Sequence, residues 1–175
     1  KHGMQAFFDC TPHATFAFGG SDAAGQTEGA LCRQEVRGTQ VLELGCGNQK
    51  TVPYAVGLDQ TPAGAHNETI PACSIAEMVG DAQHALPVPH ASQDTIIARH
   101  LLEHLSDPLQ ALQHWVQALK VGGRLIIAVP DARYGNTIIM NPEHLHAFTP
   151  DSLSTLLQHC GCAILTTHAK FNGVS

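Results

Sequence analysis

Charge is scarce in this chain. Charged residues make up 14% of its 175 residues, against roughly 25% in an average globular domain. His, Gln, Ser and Thr must therefore supply much of the surface polarity. Basic residues are fewer still: 9 Lys and Arg stand against 15 Asp and Glu, for a formal net charge of −6. They form no run, which argues against a nucleic-acid partner, because a phosphate backbone needs clustered Lys and Arg. No apolar stretch approaches the ~20 residues that cross a bilayer, so no membrane span is expected. No signal-peptide pattern is visible, and the first residue, Lys1 rather than Met, suits a processed or trimmed chain. The six cysteines (Cys10, Cys32, Cys46, Cys73, Cys160, Cys162) form no C-x-x-C pair, so a reduced, cytoplasmic setting is expected. Internal repeats and low-complexity tracts are absent.

What is present suits one globular domain: 43% of the residues are hydrophobic, enough to bury a core. Residues 1–38 show no clear pattern and are expected to be an irregular N-terminal segment. Phe7, Phe8, Phe16 and Phe18 there could form an apolar patch or a lid, and Gly19 to Gly25 reads as a loop. From residue 40 onward, short apolar runs end in turn residues: Gln40–Leu44, Tyr54–Leu58, Ala76–Val79, Asp94–Ala98 and Gly123–Val129. Such runs suit buried parallel strands. A helix is expected after Ser106 as cap, with Asp107 and Pro108 in its first turn. Its apolar face would hold Leu109, Leu112, Val116 and Leu119, with Lys120 in its last turn and Gly122 as its stop. A second helix starts at Thr149-Pro150-Asp151, buries Leu153, Leu156 and Leu157, and stops at Gly161. A strand from Ala163 to Thr167 follows. The alternation predicts an α/β fold, a mostly parallel sheet flanked by helices.

In such sheets ligands bind beyond the carboxyl ends of the strands. Gly45-Cys46-Gly47, Asp59, Asp81 and Arg99-His100 all fall there. The two glycines allow a sharp turn and close backbone approach. Asp59 can accept hydrogen bonds from a ribose diol, and Asp81 can accept one from an exocyclic amine such as adenine N6. In this order they describe an adenosine pocket.

On these residues the chain resembles the class I S-adenosylmethionine-dependent methyltransferases of the small-molecule type. Leu42-Glu43-Leu44-Gly45-Cys46-Gly47 is similar to that family's first motif, Gly57-Leu58-Asp59 to its acidic ribose motif and Gly80-Asp81-Ala82 to its adenine motif. Glu103-His104-Leu105-Ser106-Asp107-Pro108, Leu119 to Leu125, and His144-Leu145-His146-Ala147-Phe148-Thr149 are similar to later segments. The resemblance implies a Rossmann-like fold and a cofactor-binding domain over residues 39–175. It also implies S-adenosylmethionine as cofactor, S-adenosylhomocysteine as product, and methyl transfer to an oxygen or nitrogen of a small-molecule acceptor. The implied cofactor-binding residues are Glu43, Gly45, Cys46, Gly47, Asp59, Gln60, Asp81, Ala82 and Arg99. An oxygen or nitrogen nucleophile needs a base, for which His144 and His146 are the candidates, with His100, His104 and Tyr134 nearby; His104 reads as structural.

Three features depart from the family pattern. Tyr54 follows Gly47 by about seven residues, whereas a parallel crossover needs about a dozen, so the first helix is expected to be shortened or absent. Lys50 would then supply the positive charge that a helix N-terminus otherwise offers the cofactor's carboxylate. Gln49 stands where a third glycine would be. The chain also ends soon after its sixth strand, so the last antiparallel strand is expected to be missing, leaving an edge that a second copy in a homodimer or the N-terminal segment could cover.

Two other functions compete. The shortened loop also suits a methyltransferase-like binding module without activity. His100-Leu101-Leu102-Glu103-His104 fits H-x-x-E-H, the inverted zinc-peptidase motif, in which His100 and His104 would share a helical face and Glu103 would act as base. His159-Cys160-Gly161-Cys162 lacks a full ligand set at zinc spacing, and no metal is expected. Cys46 reads as small filler with an unreactive thiol.

Overall fold

In the computed structural model, residues 13–18, 27–66 and 73–168 are described. Seven strands form one sheet: β1 (His13–Phe18), β2 (Val41–Leu44), β3 (Val56–Asp59), β4 (Met78–Val79), β5 (Gln93–Arg99), β6 (Leu119–Val129) and β7 (Ala163–His168). Their order is β4-β3-β2-β5-β6-β1-β7. Every strand pairing is parallel. The helices are α1 (Glu28–Glu35), α2 (Pro108–Ala118), the short α3 (Thr137–Met140) and α4 (Pro150–His159).

The chain steps outward from β2 to β3 to β4, then returns to lay β5 against the other side of β2. The strand order therefore reverses between β2 and β5, which opens a crevice beyond their carboxyl ends. Both central strands are buried on both faces, as a parallel sheet requires. Ile96 and Leu125 join Leu42, Leu112, Trp115 and Leu153 in one core. Their strand neighbours Ile97 and Ile126 join Cys32, Val52 and Ala55 on the opposite face.

Residues 45–55 cross from β2 to β3 through turns alone, so the first helix is absent, as the short spacing predicts. No antiparallel strand occurs among the described residues. The expectation of an irregular N-terminal segment does not hold for its described parts. Residues 13–18 form β1, which lies between β6 and β7 in parallel register with both. Thus the N-terminal segment covers β6. Residues 28–35 form α1, capped by the Thr27 hydroxyl, which accepts from the Ala30 amide at 3.3 Å. Phe7, Phe8 and the Gly19–Gly25 loop lie outside the described residues.

The helix after Ser106 differs from its expected form. Asp107 is its cap, accepting from the Gln110 amide at 2.9 Å, while the Ser106 hydroxyl donates to Gln83. Its buried face is Ala111, Leu112, Trp115 and Ala118. The helix ends at Ala118, so Lys120 and Gly122 belong to β6. The later helix starts where expected, with Thr149 and Ser152 in a capping box; Leu153 and Leu157 are buried, while Leu156 is only half-buried. No described helix is long and apolar enough to cross a membrane.

Candidate functional site

The crevice holds a cavity of about 600 Å3. Its floor is the turn after β2. Gly45 and Gly47 have φ of 63° and 52°, in the left-handed region that glycine enters without steric cost. A Cβ on Gly45 would stand 3.0 Å from Leu101 Cδ1, so a side chain there would crowd Leu101, and glycine lets the turn pack close against it. Carboxylates hold this turn in place of a helix. Glu43 is buried and accepts from the Thr51 amide at 2.6 Å and from the Thr51 hydroxyl at 2.7 Å. Burial pushes its carboxyl above the ordinary range, against those hydrogen bonds. Asp59 Oδ2 accepts from the Gly47 amide at 2.8 Å and Oδ1 from the Thr61 amide at 2.9 Å. Behind the turn, Glu77 accepts from the Gly57 amide at 2.6 Å and pairs with Lys50.

Opposite, the loop after β4 carries Asp81 and Ala82. Asp81 accepts from the Gln83 amide at 2.9 Å. Gln83 in turn accepts from the Ser106 amide at 2.7 Å, tying the loop to the start of α2. The Ala82 carbonyl accepts from the indole of the fully buried Trp115 at 2.7 Å. Trp115 has no visible role in the sequence pattern, yet it fixes this wall.

At the end of β5, Arg99 donates to Glu28 Oε1 at 3.1 Å, and His100 Nε2 lies 2.9 Å from Glu28 Oε2. Burial alone would raise the Glu28 carboxyl, but His100 and Arg99 outweigh it and hold it below the ordinary range. Glu103, then Glu28, pushes the His100 imidazole up to about 10, so this ring is a cation at neutral pH. The backbone of His100 has φ of 50°, a conformation that costs a non-glycine residue of order 1 kcal/mol. Glu28 was not readable as a site residue, because it reaches Arg99 across about seventy residues of sequence.

All nine residues expected to bind the cofactor line the cavity: Glu43, Gly45, Cys46, Gly47, Asp59, Gln60, Asp81, Ala82 and Arg99. The Cys46 thiol is pushed up to about 12 by burial, in keeping with an inert filler. Lys50 does not play its expected part. Its ammonium is held by Glu77 and by the Ala55 carbonyl at 2.7 Å, behind the turn. Arg99 is a cation on the cavity wall instead, with His100 beside it.

The four histidines separate. His104 and His100 both line the cavity. His144 meets the edge of the His104 ring, with centroids 4.7 Å apart. His146 lies against Phe148 with its Nε2 buried and without a hydrogen-bond partner among the described residues. Tyr134 is exposed, beside Arg133. The zinc-peptidase reading fails on geometry. Residues 102–104 form a single 3-10 turn, so His100 and His104 share no helical face, and His100 is taken up by Glu28.

The sequence and the fold are both similar to known proteins. A family described as a methyltransferase domain matches residues 23–167. A protein of Mycolicibacterium smegmatis named "Probable S-adenosylmethionine-dependent methyltransferase" is 27% identical over 150 residues, covering 78% of this chain and 56% of its own. The chain spans about half the length of the curated relatives of this kind that it matches. Among solved structures, an S-adenosylmethionine-dependent methyltransferase of Mesorhizobium loti aligns with a TM-score of 0.56 at 18% identity, over 75% of this chain and 78% of that one. The [4+2]-cyclase SpnF aligns with a TM-score of 0.50 at 17% identity, over 90% of this chain and 67% of that one. The fold thus houses more than one reaction.

Proposed function

Because the chain belongs to the family of S-adenosylmethionine-dependent methyltransferase domains, we propose that it places a methyl group on an oxygen or nitrogen of a small-molecule acceptor. The cofactor is S-adenosylmethionine. One observation carries the reading: the glycine turn, Asp59, Asp81 and Arg99 converge on one cavity at the point where strand order reverses.

The residues present fit the cofactor. Gly45 and Gly47 bring backbone without side chains to the cavity wall, where its methionine part would lie. A carboxylate offers about four acceptor positions. Asp59 uses two of them on the amides of Gly47 and Thr61, so two remain for a ribose diol. These amides also fix the direction in which the carboxylate points. Asp81 keeps acceptor capacity for an exocyclic amine, and Arg99 offers its charge to a carboxylate.

Bound there, the cofactor supplies an activated sulfonium methyl group. The protein's share is then mainly orientation, which counts heavily in an in-line displacement. A proton must leave the acceptor. Of the two expected bases, His144 is the better placed, through its contact with His104 on the cavity wall. A small acceptor is supported by the scarcity of Lys and Arg.

Calorimetric titration with S-adenosylhomocysteine tests the reading. The chain should bind it, and Asp59→Ala should weaken binding by about ten-fold or more. Equal affinity in that variant, or no heat from the parent chain, overturns the assignment of this cavity.

A further inference from the structure

Glu103 is 1% exposed, and neither carboxylate oxygen has a hydrogen-bond partner among the described residues. Glu103 forms an ion pair with His100, whose Nδ1 stands 3.5 Å from Oε1, which leaves its oxygens' remaining acceptor capacity unused. A carboxylate buried this way is costly unless something else satisfies it. Two histidines flank it. One ligand atom each from Glu103, His104 and His144 lie within 4.8 Å of one another.

The two rings are prepared in the same manner. His104 Nδ1 lies 3.1 Å from the Glu143 carbonyl, and His144 Nδ1 lies 2.9 Å from the Thr137 carbonyl. A carbonyl can only accept, so each Nδ1 carries the hydrogen, and in the neutral ring each Nε2 keeps a lone pair. Metal-ligating histidines are oriented and tuned in this way, with the second ring nitrogen donating to a carbonyl. The segments are also pinned together: Leu145 and His146 donate their amides to the Glu103 carbonyl at 2.8 and 3.1 Å. That pairing brings His144, distant in sequence, to the Glu103-His104 turn.

We infer that Glu103, His104 and His144 form a binding site for a divalent transition metal such as zinc, at the edge of the cavity that His104 and Glu143 line. Two imidazoles and one carboxylate are a donor set that zinc and its neighbours in the first row accept. The site uses neither His100 nor an α-helical face, so it differs from the H-x-x-E-H arrangement. It also bears on the base: the His144 Nε2 lone pair can hold a proton or a metal, not both.

The test is zinc titration of the full, untagged chain against a chromophoric chelator, with cobalt absorption as a second readout. The exposed pair Cys73 and His66, whose Sγ and Nε2 lie 3.1 Å apart, is a competing place for zinc, so His66→Ala serves as the background. In that background one zinc per chain is expected, and His144→Ala and Glu103→Gln should each weaken it about ten-fold or more. Where Glu103→Gln fails to fold, as judged by circular dichroism, His144→Ala decides alone. Unchanged zinc affinity in His144→Ala, or no zinc bound in the His66→Ala background, overturns the site. Binding of S-adenosylhomocysteine, followed in the same variants, reports separately on the cofactor cavity.

Discussion

The two walls of the cavity are built by different physics. On the β2–β3 side, no helix backs the strands between residues 45 and 55. Three carboxylates hold that turn, Glu43 and Asp59 through backbone amides and Glu77 through the Lys50 ammonium. On the β4–α2 side, the loop bearing Asp81 and Ala82 rests on Trp115, buried in the main core. One wall depends on ionised groups and exact hydrogen bonds, the other on close packing. Such walls should fail under different insults: the first to loss of an acceptor or a shift in pH, the second to loss of volume.

The largest effect should come from Trp115→Ala. Removing this side chain should cost about 3–5 kcal/mol in denaturant unfolding, with little change in the pH profile of stability. A loss below about 1 kcal/mol would mean that the packed wall does not rest on it. Glu43→Ala comes next. It leaves the Thr51 amide without an acceptor and should cost about 1–3 kcal/mol, together with a clear fall in S-adenosylhomocysteine affinity. Unfolding and calorimetry in parallel would show whether the turn loosens before the domain does. Gly57→Ala strikes the same wall from behind, since the new Cβ would stand 2.5 Å from Cys46 Sγ. About 1–2 kcal/mol of strain is expected, and an unchanged melting temperature would show that Cys46 can step aside.

The smallest effect lies away from both walls and calibrates the pH test. Asp94 accepts from Lys120 and from the amides of Gln40 and Thr39, and these hold its carboxyl down at about 2. A depressed carboxyl stabilises the fold above its unfolded pKa, and that contribution fades as pH falls from about 4 to about 2. Asp94→Asn should therefore be less stable than the parent at pH 6, with the gap closing below pH 3. A constant gap would assign the effect to the hydrogen bonds alone.

Much of the sheet was legible because its strands announce themselves locally. The apolar runs Gln40–Leu44 and Asp94–Ala98 fall on β2 and β5, Asp59 ends β3, and Asp81 follows β4 by two residues. The missing helix was legible as a distance. Other features were not local. β1 depends on partners more than a hundred residues away, and α1 buries only Glu28, Leu31 and Cys32, too few for a periodic signal. The end of α2 was misread because Leu119 keeps the apolar pattern while its backbone already turns extended, at φ −73° and ψ 140°. The His100–His104 stretch resembles a helical motif until the strand's end and a positive φ intervene. Proximity of His144 to Glu103 belongs to tertiary structure and leaves no mark on either segment alone.

The place of β1 between β6 and β7 carries a consequence for synthesis. This strand leaves the ribosome before the rest of the sheet, yet its nearest partner begins at Leu119 and the other at Ala163. During translation β1 must wait, unpaired, until β6 has emerged. Nascent chains arrested before residue 119 should therefore leave β1 open to protease or chaperone, while β2 and β3 can already pair. β1 alone is paired out of the order in which the strands are made, because its contacts are the most distant in sequence.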